Sequence, residues 1–411
     1  MEKVILLPHQ QSALDKTKDF EKVAYYFDMG LGKTYIGSEK LIQLANPQNL
    51  LVCQKSKVKD WVEHFKRHYN LEVLDFTVKK NRIIKPNSLI VINYDLVWRL
   101  PELLNLSDFT LMLDESSYIK NESSKRTKFI MKLKPKGVIL LSGTPVGGKY
   151  EELISQCKLL GWNISKKKFY ENYIISREIK LNGFRLQMIQ GYKNVNHLKR
   201  QLGRYGAIFS KSEDVLTLPE QVHSIVEVDS TKEYKTFKKD RVISIGDIEL
   251  VGDTSLTYLL YLRQLCGIYN KNKFQTLSDI LQGTSKRVII FYNFKDEFEE
   301  IKKLCEKLGK PLSAVNGTLT DLKNYEDSED SVTLIQYQSG SMGLNLQKSN
   351  TCIYWSLPLS SDLFEQSKKR IHRIGQSDTC FYYYLMVKDS IEFKIYQTLK
   401  NRQDYTLALF E

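Results

Sequence analysis

A chain of 411 residues exceeds the size at which one hydrophobic core usually splits, so two or three domains are expected. Its 42% hydrophobic and 11% aromatic content is ample for globular cores, and a net charge of +13 favours a polyanionic partner, either nucleic acid or an acidic membrane surface. The six cysteines (Cys53, Cys157, Cys266, Cys305, Cys352, Cys380) are scattered without a C-x-x-C pair, which argues against a zinc ribbon or a disulfide framework and for a reducing compartment. The apolar run at the N-terminus is too short for a signal peptide, and no run of about 18 apolar residues occurs. The expectation is a soluble cytoplasmic protein with no membrane partner.

Along the chain, short apolar runs alternate with helical patterns, the rhythm of parallel βα units. In the first half the runs are VAYYF (23–27), LLVC (50–53), LIVIN (89–93), TLMLD (110–114) and VILLS (138–142). In the second half they are RVIIF (287–291), VTLIQ (332–336), TCIYW (351–355) and FYYYLMV (381–387). Their hydrophobicity is continuous, so the sheets should be covered on both faces. The expected α/β organisation is a first lobe at 1–210, a linker at 211–221 marked by Pro219 and mixed charge, and a second lobe at 222–411. Within the first lobe, 161–205 is rich in Lys, Asn and Tyr and reads as a helical insert; YEDSEDS (325–331) reads as an exposed loop.

Four stretches carry chemistry. FDMGLGKT (27–34) follows an apolar strand, with a tight turn at Gly30, Leu31 and Gly32 and a helix opening at Thr34. That order turns backbone N–H groups, from Met29 onward, and the helix's positive end towards phosphate. Lys33 would contact the β- and γ-phosphates of ATP, and the Thr34 hydroxyl would bind Mg²⁺. The strict pattern has Gly at position 27, which is Phe27 here. LMLDES (111–116) ends a buried strand in two acids, placing Asp114 to hold Mg²⁺ and Glu115 to orient or deprotonate water. Taken alone, such acids are also common helix caps.

LLSGTPV (140–146) offers the hydroxyls of Ser142 and Thr144 to sense the γ-phosphate; without context it is an ordinary strand-to-turn junction. QSKKRIHRIGQ (366–376) sets Gln366, Arg370 and Arg373 at i, i+4 and i+7, one face of a helix ended by Gly375. Arginines so placed meet the charge on a transferring phosphoryl group. The six histidines show no metal-ligand spacing, and only His372, inside this stretch, stands out.

The ordered set resembles the Swi/Snf-related ATPases of the superfamily-two helicases nearly end to end. LLPHQ, ending at Gln10, resembles the family's adenine-reading motif; LLVCQKSKVKDWVEHF (50–65) and VINYD (91–95) are similar to motifs Ia and Ib. LDESSYIKN (113–121) resembles the acidic box, and DVLTLPEQVHSIVEV (214–228) the approach to the second lobe. RVIIFYNF (287–294) and SGSMGLNLQ (339–347) resemble motifs IV and V, and the RIGQ ending of 366–376 is the most family-specific detail.

The resemblance implies two RecA-like lobes, each a parallel sheet flanked by helices, with the ATP site in the cleft between them. It implies Gln10 as the base contact, Arg370 and Arg373 as arginine fingers, and Gly343 and Asn345 in the loop that couples DNA to hydrolysis. DNA contacts are expected from Lys55, Ser56, Lys57, Asn93, Tyr94, Ser339, Ser341 and Asn345. One departure is DESS (114–117), where the family usually has DEAH or DEAQ. Compactness resembles stripped bacterial or phage versions. The implied function is an ATP hydrolase translocating along DNA, double-stranded by expectation. The alternatives are a strand-separating helicase and a nucleotide-gated DNA clamp with weak hydrolysis.

Overall fold

The computed structural model describes residues 2–181, 184–338 and 344–410. The chain divides into two units, Met1–Leu216 with Asp404–Glu411, and Thr217–Gln403. Among the described residues, no helix is long and apolar enough to cross a membrane.

The first unit contains β1 (Lys22–Phe27), β2 (Gln48–Cys53), β3 (Glu72–Asp75), β4 (Ser88–Asn93), β5 (Phe109–Asp114) and β6 (Gly137–Ser142). It continues through β7 (Ile174–Leu181), β8 (Phe184–Tyr192) and β9 (Ala207–Ser210). Seven of these strands form one sheet in the order β3-β4-β2-β5-β6-β1-β9, with every pairing parallel. Successive residues feed opposite faces, as a strand's period of two requires. Ala24, Tyr26, Leu113 and Leu140 enter one buried cluster; Val23, Tyr25, Met112 and Ile139 enter the other. The helix Lys33–Leu44 packs over β5 and β6.

The second unit holds β10 (Gln221–Val228), a hairpin of β11 (Val242–Ile245) and β12 (Ile248–Val251), and then β13 (Val288–Tyr292) and β14 (Leu312–Val315). It ends with β15 (Thr320–Asp321), β16 (Val332–Gln336), β17 (Thr351–Tyr354) and β18 (Cys380–Val387). Its sheet order is β10-β18-β17-β13-β16-β14-β15, parallel except for the β14–β15 pair. Both units are therefore α/β with mainly parallel sheets covered on both faces. All six cysteines are free and buried.

Two sequence expectations need correction. The stretch 161–205 is helical only at Lys166–Tyr173 and Val195–Arg204; between them β7 and β8 pair antiparallel, with a bulge at Ile175/Ser176. The alternating, β-branched pattern IISREIKL explains it, because alternation suits a strand better than a helix. The stretch 325–331 is not simply an exposed loop, since Lys323–Asp327 is helical and Tyr325 is buried with its hydroxyl accepting from the Lys348 N–H at 3.0 Å.

Leu140 lies at the centre of the first sheet, opposite Ala24 on one side and Leu113 on the other, and is fully buried. Leu140→Ala is expected to lower the unfolding free energy of the first unit by about 2–5 kcal/mol in urea denaturation, from lost transfer energy plus the cavity left behind. A loss below about 1 kcal/mol would contradict the packing described.

Candidate active site

Adjacency in the first sheet brings three loops together. β5, β6 and β1 are neighbours, Asp114 sits opposite Leu141, and Tyr26 sits opposite Ser142. The loop after β1, the acids closing β5 and the turn after β6 therefore emerge side by side at the strands' carboxyl ends, where ligands bind in open parallel sheets.

The loop after β1 bends through Gly30 at φ +85° and Gly32 at φ +70°. A Cβ on Gly32 would lie 2.1 Å from Gln10 Nε2, so both backbone sign and space require glycine there. Gln10, buried on the helix Pro8–Lys16, donates through Nε2 to the carbonyls of Leu31 (2.9 Å) and Gly32 (3.4 Å), while its Oε1 accepts from the Leu7 N–H at 2.8 Å. Lys33 opens the helix Lys33–Leu44, one residue earlier than the expected start, and its Nζ donates to the carbonyls of Phe27 (2.9 Å) and Asp28 (3.2 Å). Thr34 follows in the first turn, and Met29 and Leu31 lie within the loop. Asp28, which sequence reasoning did not single out, anchors the loop's root by accepting from the Ser212 hydroxyl at 2.6 Å.

At the end of β5, Asp114 Oδ2 accepts from the Trp61 indole at 2.8 Å. Burial is the largest influence on its carboxyl and raises its pKa above the ordinary carboxylate value; the Trp61 bond and the charges of Lys33 and Lys57 pull the other way. Trp61 is buried and stacked on Phe65, and it meets His64 edge-on. His64, bonded to the Ser38 hydroxyl at 3.0 Å, has its pKa pushed down to about 4, mainly by burial and then by His68, so it is neutral at pH 7. Glu115 occupies the left-handed region at φ +55°, a strained conformation for a residue with a side chain. Its Oε2 accepts from the Ser142 hydroxyl at 3.2 Å.

Beyond β6, the Ser142 hydroxyl also accepts from the Thr144 N–H at 3.2 Å. Thr144 Oγ1 is buried and has no hydrogen-bond partner among the described residues. A Cβ on Gly143 would sit 3.3 Å from Lys33 Nζ, so the lack of a side chain at Gly143 keeps the lysine head uncrowded. An ammonium, an unpartnered hydroxyl and glycine-lined backbone fit a phosphate chain. Thr34 and Asp114 are hard oxygen donors of the kind Mg²⁺ takes alongside phosphate oxygens.

In the second unit the expected helical face of 366–376 is not formed. The helix Ser361–Lys368 ends before Arg370, so only Gln366 lies on it, half-buried. Tertiary partners take the groups that a helix would use. Leu346 N–H donates to the Arg370 carbonyl at 3.2 Å and the Tyr382 hydroxyl to that of Lys368 at 2.9 Å. Arg370 is buried, Arg373 is half-buried with Nη1 donating to the Leu344 carbonyl at 3.3 Å, and His372 Nε2 lies 2.9 Å from the Pro219 carbonyl.

Of the expected DNA contacts, Lys55 and Ser56 are exposed on the turn Lys55–Lys57, Lys57 pairs with Asp60 at 2.8 Å, and Asn345 is exposed. Asn93 and Tyr94 are buried and are not presented to a backbone outside. The Tyr94 hydroxyl instead donates to the carbonyls of Asp114 (3.0 Å) and Glu115 (3.3 Å), holding the strained acid from behind. Ser339, Ser341 and Gly343 lie outside the described residues.

The SNF2-related domain family matches residues 26–271, and the helicase conserved C-terminal domain matches 272–375. An uncharacterized ATP-dependent helicase of Mycoplasma pneumoniae is 22% identical over 414 residues, covering 92% of this chain and 39% of its own length. The SWI/SNF-related matrix-associated actin-dependent regulator of chromatin subfamily A-like protein 1 of Xenopus laevis is 25% identical over 388 residues, covering 89% of this chain and 40% of its own. The chain thus spans about two fifths of the length of these curated relatives. Among solved structures, the Sulfolobus solfataricus SWI2/SNF2 ATPase core in complex with dsDNA aligns with 98% of this chain and 92% of its own at 22% identity, with a TM-score of 0.47.

Titration of Asp114, followed by carboxyl-carbon NMR, is expected to show a midpoint above the ordinary carboxylate range. Because the Trp61 indole stabilises the ionised form, Trp61→Phe should move that midpoint further up. A midpoint that stays or falls would contradict the electrostatics described.

Proposed function

The chain belongs to the SNF2-related family of helicase-like ATP hydrolases, and on that premise we propose that it is a DNA-stimulated ATPase that translocates along duplex DNA. The observation that carries this reading is the register that sets Lys33, Asp114, Glu115 and Thr144 at the ends of three neighbouring strands. A relative named for chromatin regulation and the net charge of +13 support DNA as the polyanionic partner.

Lys33 and the N–H groups of the Met29–Thr34 loop would hold the phosphates, and Thr34 with Asp114 would hold Mg²⁺. When bound there, Mg²⁺ would neutralise part of the charge on the phosphates. Gln10, already bonded to the phosphate loop, would read adenine through the remaining lone pair of Oε1. Glu115, fixed by Ser142 and by Tyr94 behind it, would orient the attacking water and take its proton. Ser142 and Thr144 would register the γ-phosphate. Arg370 and Arg373 would bring positive charge to the same nucleotide as arginine fingers, and Gln366 and Gly343 would couple hydrolysis to DNA. No covalent intermediate is required, because positioning and charge stabilisation supply the catalysis.

DNA would be held through Lys55, Ser56, Lys57, Asn345 and the serines 339 and 341. Cations, hydroxyls and amides on phosphates fix position without reading bases, which suits movement along any sequence.

DNA-stimulated phosphate release tests the reading. Lys33→Ala and Glu115→Gln should each lower turnover about a hundredfold or more with circular dichroism unchanged. Unaltered turnover in either variant would overturn the assignment. DNA affinity should fall about tenfold or more between about 50 and 200 mM salt, as neutralised phosphates release counterions. Displacement of a triplex strand without unwinding of a forked duplex is the expected product pattern, and the reverse pattern would favour a strand-separating helicase.

A further inference from the structure

A buried amide joins the acidic box to the turn after β6 without belonging to either. Gln156, on the helix Ile154–Leu159, is 0% exposed. Its Oε1 accepts from the Ser116 hydroxyl at 2.7 Å and from the Tyr26 hydroxyl at 3.0 Å, and its Nε2 donates to the Pro145 carbonyl at 2.8 Å. Those partners sit on three segments: directly after Glu115, near the end of β1 before the phosphate loop, and directly after Thr144. The neighbouring Ser155 hydroxyl donates to the Ile119 carbonyl at 2.7 Å, so the turn Ser116–Ile119 is strapped to this helix at both ends.

We propose that Gln156 is a positioning residue for hydrolysis, holding Glu115 and the Ser142–Pro145 turn in fixed mutual geometry through Ser116 and Pro145. The proposal rests on the ATPase reading above. Glu115 lies in a left-handed conformation that persists only when its surroundings over-determine it. Its carbonyl accepts from the Tyr94 hydroxyl and, at 2.9 Å, from the Tyr118 N–H, its carboxylate accepts from the Ser142 hydroxyl, and the chain just beyond it is fastened through the Ser116 hydroxyl. Gln156 restrains that chain, and the same amide restrains the turn that carries Ser142 and Thr144.

The side chain must accept twice and donate once in a site without water-facing surface. An ionised glutamate lacks the donor and would bury a charge, leucine lacks both functions, and asparagine is one methylene shorter. The network also gives a physical role to the departure at the acidic box. Ser116 stands where DEAH or DEAQ carries alanine, and an alanine there would remove one of the two hydroxyls that Gln156 Oε1 accepts from. A buried network is costly when partly satisfied, so Ser116 and Gln156 are expected to act as a unit.

The test uses the full chain in wild-type, Ser116→Ala and Gln156→Leu forms, assayed for DNA-stimulated phosphate release and for amide hydrogen exchange. Ser116→Ala removes one bond and adds no bulk, and Gln156→Leu removes all three bonds at similar side-chain volume. Each should lower kcat about tenfold with KM for ATP unchanged, the signature of lost transition-state geometry. Exchange should quicken at 115–119 and 143–147 and stay at the wild-type level in β2 and β4. Wild-type kcat, a rise in KM alone, or exchange unchanged at both segments would overturn the proposal. A general rise in exchange throughout the first unit would also overturn it, since that marks a merely structural residue. If the wild type itself releases no phosphate, the ATPase reading falls, and the exchange pattern still decides whether Gln156 orders these segments.

Discussion

Parallel register in a doubly covered sheet is the constraint on which the rest of this protein depends. β1, β5 and β6 bury side chains on both faces, and a slip of one residue would exchange the members of two filled cores. That penalty fixes Asp114 beside Leu141 and Tyr26 beside Ser142 to within a residue. The polar groups that follow these strands are then gathered at their carboxyl ends by packing that is largely apolar. Core and chemistry are separated in space, and the first positions the second.

What gathers there is held under tension and in partial burial. Glu115 is strained, Asp114 is raised by desolvation, and Lys33 faces carbonyls of its own loop. Asp114 and Glu115 are restrained by residues beyond the phosphate loop and the acidic box: Trp61 on Asp114, Tyr94 behind Glu115, and Gln156 beyond both. Such restraints cost no reorganisation at the moment of reaction, which is where preorganised sites gain their rate.

Much of the architecture was legible in the residues. The apolar runs read as strands correspond to β1, β2, β4, β5, β6, β13, β16, β17 and β18 within two residues at either end, because parallel strands buried on both faces leave an unbroken hydrophobic signal. Strands at the margins escaped notice. β10 lies at a sheet edge and mixes polar with apolar residues, and β3 and β9 have only four residues each. Charged residues of the β7–β8 hairpin masked its alternation within a Lys-rich stretch. The helix expected through Arg370 failed for a different reason: spacing describes a local preference, whereas distant donors take the carbonyls of Lys368 and Arg370 where the helix ends. Burial of Asn93 and Tyr94 was equally invisible, since a polar residue after a strand reads the same whether it faces solvent or a neighbouring loop. Gln156 had no sequence signature, and the motifs holding Trp61 and Asp28 did not mark those residues' roles, because their meaning lies in contacts 40, 53 and 184 residues away.

The most direct measurement is the position of an ATP analogue and Mg²⁺ bound to the full chain, determined by crystallography or cryo-EM. The account predicts the triphosphate at the carboxyl ends of β1, β5 and β6, with Lys33 Nζ turned from the Phe27 carbonyl onto phosphate and Asp114 and Thr34 at the metal. A nucleotide seated elsewhere, with Lys33 still bonded to its own loop, would contradict it.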